Sequence, residues 1–249
     1  MFQIHPQLIC ASLFTGVYDV NRNELLIADD FHVIKKWYQS IMDLDLKAVI
    51  FHNNFSEETV KIYQNQNIQF VKVDFKTVLN ANVYRYIVYN NFLKAYADIL
   101  KSVFITDITD VEVVQNPFHQ QLFLDNPNSL FCGDELEILD NEWMNNHNTH
   151  LRNSIDGFAD YEFQNKNQTL LNCGIIGGNI QIMKSLMFEL VNIHQTITIN
   201  NKTPYTLDMG AFNYIVRTQF ANKLIHGSPV NTPFKKYEEE RMDCWFRHK

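Results

Sequence analysis

The residues that most directly suggest chemistry are two carboxylates in FITDITDVEVVQNPF, residues 104–118. Asp107 and Asp110 stand where the apolar run 102–105 ends, and an open α/β sheet presents its ligands at the carboxyl ends of its strands. Hard oxygen donors of this kind suit Mg²⁺ or Mn²⁺, which take one or two carboxylates together with waters and substrate phosphates. The same spacing also serves as turn or capping carboxylates, so three further segments bear on the reading. IHGSPVNTPF, residues 225–234, sets His226 at a strand end beside Gly227; its imidazole could complete a mixed carboxylate and imidazole site, or be structural. LLNCGIIGGN, residues 170–179, carries Gly174, Gly177 and Gly178 within five residues. A backbone without side chains can approach a ligand closely, and it also makes a tight strand-to-helix turn. TLDMGAFNYIVR, residues 206–217, opens on Asp208, either a plain N-cap or an acid directed into the same cleft.

The elements that must position these residues alternate. Residues 8–14 (LICASLF), 46–52 (LKAVIFH), 68–75 (IQFVKVDF) and 102–105 (SVFI) read as strands. Between them the amphipathic stretch 30–42, the SEET-capped stretch 56–65 and the stretch 82–97 read as helices. Strands alternating with helices predict an α/β fold with a mainly parallel sheet. Beyond Phe118 the alternation stops. Residues 126–172 are rich in Asn and Asp, with one clear strand at 130–133, and read as long loops. Order returns with the strand 170–178, helices over 179–195 and 207–220, and a strand at 223–226.

The 249 residues carry 21 Lys and Arg against 28 Asp and Glu, a formal net charge of −7. That balance argues against a nucleic-acid partner, which needs a basic surface. An anionic ligand would therefore need a metal ion, a helix N-terminus or a few placed cations. The four cysteines have no zinc-type spacing and imply free thiols in a reducing, cytoplasmic setting. No apolar run is long enough to span a membrane, and residues 8–18 read as a first strand rather than a signal peptide. The terminal run 235–249, KKYEEERMDCWFRHK, reads as a solvated helix or, through Trp245 and Phe246, as a segment resting on the inner face of a membrane.

In their order, these motifs resemble the metal-dependent GT-A-fold glycosyltransferases, which use nucleotide-sugar donors, and most closely the relatives of glycogenin and the lipopolysaccharide sugar transferases. The resemblance extends from about residue 8 to 237 and rests on four short motifs. It implies one domain over 1–249, with a Rossmann-like nucleotide half (1–118) and an acceptor half (119–249). It also implies that Asp107 and Asp110, after the fourth strand, hold Mn²⁺ or Mg²⁺ with a late histidine. Here that histidine is His226, although Gly227 follows it directly and the lysine of the family's His-x-x-Gly-x-x-Lys-Pro segment is missing. By the same resemblance Thr15 and Gly16 lie beside the nucleotide, Arg85 and Asp107 face the donor, and Asn172, Gly174 and Gly177 border the transferred sugar. Asp208 resembles an acceptor- or sugar-binding acid.

The implied activity is transfer of a hexose from a nucleotide-diphosphate sugar to a hydroxyl of a glycan or lipid-linked glycan, favouring retention at the anomeric centre. An inverting course would need a base, for which Asp208 or Glu135 are candidates. Trp143, Phe158, Tyr161 and Phe163 either stack on an acceptor sugar or fill a local core. Two other classes remain open. One is a metal-dependent nucleotidyltransferase or phosphohydrolase, although the chain has no phosphate-binding GxxxxGK[ST] loop. The other is a sugar-nucleotide-binding module without catalysis.

Overall fold

Buried parallel strands read as continuous apolar runs because helices cover both sheet faces, and two such runs of this chain, AVIFH and SVFIT, are buried at every position. The computed structural model describes residues 4–19, 24–75, 79–200, 208–236 and 238–249. In chain order it contains β1 (Gln7–Leu13), a small ribbon of β2 (Tyr18–Asp19) and β3 (Glu24–Leu25), α1 (Lys35–Asp43), β4 (Ala48–His52), α2 (Glu57–Tyr63), β5 (Ile68–Lys72), α3 (Ala81–Ala95) and β6 (Ser102–Thr106). Then follow β7 (Val111–Val113), α4 (Gln121–Asp125), β8 (Leu130–Ile138), α5 (Glu142–His147), α6 (Thr149–Ser154), α7 (Phe158–Asn165) and β9 (Thr169–Asn179). The chain closes with α8 (Ile180–Asn200), α9 (Asp208–Gln219), β10 (Leu224–His226) and β11 (Phe246–His248).

Seven strands form one sheet in the order β10-β8-β9-β6-β1-β4-β5. β1, β4, β5 and β6 run parallel, as do β8 and β10, while β9 runs against its neighbours β6 and β8. The fold is therefore the α/β class expected, with a mostly parallel central sheet. Side-chain alternation divides the core between the sheet faces. Val103 and Ile105 of β6 pack with Tyr86, Leu186 and Phe212 of α3, α8 and α9. Phe104 packs on the other side with Trp37 of α1, Phe118, Trp245 and Phe246. Burial of each large apolar side chain contributes about 1.5–3 kcal/mol relative to exposure. Among the described residues, no helix is long and apolar enough to cross a membrane.

Two regions depart from the sequence expectation. Residues 126–172 are not long loops: β8 continues to Ile138, and α5, α6 and α7 follow it. These helices are short and Asn-rich, and tertiary bonds hold them. Asn141 caps α5 by accepting from the Met144 amide at 2.9 Å, and Arg152 of α6 donates to Glu162 of α7. Their interior includes Leu151, Phe158 and Tyr161, so Phe158 and Tyr161 fill a local core, while Trp143 and Phe163 stand exposed. Among its described residues the terminal run 235–249 forms no helix. Trp245 and Phe246, on which a membrane contact would rest, are 1% and 0% exposed, and β11 pairs antiparallel with β7.

Candidate metal and donor site

The β7–β11 pairing brings a histidine to the acidic motif. Its register sets His248 opposite Val111, the residue after Asp110, and the Lys249 amide donates to the Asp110 carbonyl at 2.9 Å. Asp107, Asp110 and His248 each offer a ligand atom within 4.8 Å of the others. The Nε2 of His248 lies 4.0 Å from Asp110 Oδ1. Burial holds the His248 imidazole near a pKa of about 4, with Asp107 opposing and Arg85 reinforcing the shift. The ring is therefore neutral at neutral pH, the state a metal ligand requires. Its Nδ1 is buried without a hydrogen-bond partner among the described residues.

Gly174 forms the floor of this group. A Cβ there would come within 2.5 Å of His248 Cε1, 2.8 Å of Asp107 Oδ2 and 2.9 Å of Asn172 Oδ1. The glycine is pinned from both sides: its carbonyl accepts from the Asp107 amide at 2.7 Å and its amide donates to Asn172 Oδ1 at 2.7 Å. Asn172 Nδ2 in turn donates to Glu135 Oε1 at 2.8 Å. Burial raises the Glu135 carboxyl pKa, and the Asn172 bond opposes that shift. Two carboxylates and one neutral imidazole above a cradle that any side chain would fill make a donor set that could hold a divalent cation; the imidazole suits Mn²⁺ better than the oxygen-preferring Mg²⁺.

Behind Asp107 lies a fixed cation. Arg85, on the buried side of α3, donates through Nη1 to Asp107 and through Nη2 to Asp208 Oδ2 at 3.3 Å. The same Nη2 lies 3.4 Å from Cys173 Sγ. Burial would lower the Arg85 pKa, but the opposing charge of Asp107 and its neighbours leaves it well above its usual value, so the guanidinium stays charged. Asp208 opens α9, 5% exposed, with His147 Nε2 4.0 Å from its other oxygen. Trp143 stacks on the His147 ring with centroids 4.4 Å apart.

Of the residues picked out from sequence, Arg85, Asp107, Asp110, Asn172, Gly174 and Asp208 converge here. Thr15 and Gly16 lie at the same end of the sheet, after β1. There Asn53 exchanges two 2.9 Å bonds with the Thr15 backbone, and Asn54 donates to the Thr15 carbonyl at 2.6 Å. Two expectations are corrected. His226 is not the histidine that joins the acidic pair: its Nδ1 lies 3.0 Å from Oδ2 of Asp134, midway along β8. Gly177 does not border the cleft: it faces Phe104 across the β6–β9 pair, where a Cβ would fall 2.0 Å from the ring. His248 was missed because it lies 138 positions beyond Asp110. The local signal was the alternation of Phe246 and His248 about Arg247, a strand pattern within a charged tail.

When the chain is compared with known proteins, no protein-family model matches it, and no curated protein matches its sequence.

Proposed function

We propose that the protein is a metal-dependent glycosyltransferase of GT-A type. In this reading it moves a hexose from a nucleotide-diphosphate sugar to a hydroxyl of a glycan, with retention at the anomeric centre. The observation that carries the reading is the convergence of Asp107 and Asp110, which follow the fourth strand of the main sheet, with the neutral His248 above the Gly174 floor. A divalent cation held there would act as a Lewis acid on the diphosphate leaving group. The chain's own residues do the rest. Arg85 keeps a permanent positive charge beside Asp107 in a buried setting, where a preorganised charge counts for more than in water. It also ties Asp107 to Asp208, so the start of α9 moves with the metal-side carboxylate. Gly174 leaves the approach open, and Asn172 fixes both that backbone and Glu135.

A retaining course is supported by the engagement of Asp208, whose oxygens face Arg85, Cys173 and His147 rather than open space for an acceptor hydroxyl. The net charge of −7 makes a bound cation the natural partner for a diphosphate. A cytoplasmic location fits the four thiols, all buried.

The test is incubation with Mn²⁺ and each common nucleotide-diphosphate hexose, with free nucleoside diphosphate as the readout. We expect metal-dependent release with at least one donor, abolished in Asp110→Asn. Absence of release with every donor would overturn the transferase reading. Metal-dependent nucleotide binding without release would replace it with a non-catalytic sugar-nucleotide module.

A further inference from the structure

β7 and β11 form a ribbon of three residues per strand, outside the seven-strand sheet. A two-stranded ribbon of that size is marginal by itself, yet its register decides whether His248 reaches Asp107 and Asp110. A one-residue slip would turn the imidazole to the opposite face, and a two-residue slip would carry it about 7 Å along the strand. Phe246 anchors the start of β11 in the core. After it come Arg247, His248 and Lys249, none of which has an apolar side chain to fix it there.

Glu112 supplies the fixing contacts. It stands directly opposite Arg247, and its side chain is 14% exposed. Arg247 Nη2 donates to Glu112 Oε2 at 2.7 Å, while Lys249 Nζ lies 3.2 Å from Glu112 Oε1. These two cations flank His248 in sequence, and strand alternation puts both on the face away from the imidazole. One carboxylate therefore grips β11 on either side of the histidine without entering the cation site. Lys36 of α1 lies 4.0 Å from the same carboxylate, and Lys249 Nζ donates to Glu239 Oε1 at 2.9 Å. Isolated exposed ion pairs contribute little to stability, but opposite charges that face each other across two strands favour one register over its neighbours. On its other edge the His248 amide donates to Thr232 Oγ1 at 3.0 Å, and the Thr232 amide donates to the Phe246 carbonyl at 3.0 Å. Those bonds hold β11 against residues 231–232; the charge pairs hold it against β7, the strand into which Asp110 leads.

We propose that Glu112 is a positioning residue: by gripping Arg247 and Lys249 it locks the β7–β11 register that presents His248 to Asp107 and Asp110. That His248 then binds a cation rests on the function proposed above; that Glu112 fixes the imidazole does not.

The test has two readouts, one of them free of metal. In metal-free protein carrying isotope-labelled histidine, an NOE between His248 Hε1 and the Gly174 α-protons reports the ring above its floor, since a Cβ on Gly174 would fall 2.5 Å from Cε1. Calorimetric titration reports Mn²⁺ affinity. Glu112→Gln and Arg247→Gln each break the closest pair and change the net charge in opposite directions. We expect both variants to weaken the NOE and to lower Mn²⁺ affinity about tenfold, the lower end of the 10–100-fold loss typical of outer-shell partners. A through-space effect of charge on the cation would instead weaken binding in Glu112→Gln and strengthen it in Arg247→Gln. That pattern, an NOE that both variants retain, or no NOE in the wild type would overturn the proposal. If Glu112→Gln fails to fold, the direction of change in Arg247→Gln decides. An NOE present in the wild type and lost in both variants, in a protein that binds no Mn²⁺, would uphold the positioning and refute the cation reading.

Discussion

Gly174→Ala isolates the proposed cation site from the rest of the fold. The new methyl group would stand 2.5 Å from His248 Cε1 and 2.8 Å from Asp107 Oδ2, and ordinary contact begins near 3.4 Å. One ligand must therefore retreat by about 0.9 Å and the other by about 0.6 Å, because Gly174 itself is fixed by 2.7 Å bonds on both its amide and its carbonyl. Metal–oxygen and metal–nitrogen bonds are held within about 0.2 Å of their preferred lengths, so neither displacement leaves a usable ligand. Loss of outer-shell support alone typically weakens metal binding 10–100-fold, so direct displacement is expected to cost at least about 100-fold, or about 2.7 kcal/mol. Overpacking adds about 1–3 kcal/mol of destabilisation, which a melt without metal reads separately. The assay is calorimetric titration of Mn²⁺ into folded variant and wild type. Wild-type affinity in a folded Gly174→Ala would refute the placement of the cation over this glycine.

Three other outcomes follow from the same contacts. Gly177→Ala drives a methyl group into the Phe104 ring; it should lower stability by about 1–3 kcal/mol, read by urea unfolding, while the folded fraction keeps its Mn²⁺ affinity within about twofold. Arg85→Met leaves Asp208, whose side chain is 7% exposed, without its cation and should cost about 3–5 kcal/mol; added Mn²⁺ should raise the melting temperature of this variant, because binding to the folded state alone stabilises it. Burial lowers the His194 pKa from 6.5 to about 4, with Asp208 opposing and Arg85 reinforcing. The unfolded chain therefore takes up the proton first as pH falls, so this contribution is present above pH 6.5 and is lost toward pH 4. Between pH 7 and pH 5 the loss is about 2 kcal/mol, and unfolding midpoints should fall less steeply in His194→Phe, which keeps a ring stacked on Tyr86. Equal slopes would contradict the assignment.

The parallel half of the fold was legible because strands covered on both faces leave uninterrupted apolar runs and the helices between them carry start signals. Ser56 accepts from the Thr59 amide and Asn80 from the Asn82 amide, each a local N-cap bond. The helices between β8 and β9 were not legible, since Asn-rich segments of six to eight residues owe their form to Arg152, Glu162 and Phe158 rather than to local preference. The acidic pair was visible because it directly follows a strand of its own sheet. Its histidine was not, because only the β7–β11 register connects His248 to Asp110. His226 had the better local context, at a strand end beside a glycine, yet Asp134 holds it instead. Arg85 was legible as a cation on a helix, but its bridging of Asp107 and Asp208 depends on α3 and α9 both packing against α8.

The central claim is that Asp107, Asp110 and His248 hold the cation through which a nucleotide-diphosphate sugar binds. Its most direct test is calorimetric titration of nucleoside diphosphates into the protein with Mn²⁺ and with chelator, for wild type and His248→Ala. The account predicts binding of at least one nucleotide that requires Mn²⁺ and is weakened at least tenfold in His248→Ala. Nucleotide binding that is unchanged by chelator, or Mn²⁺-dependent binding that His248→Ala leaves intact, would contradict it.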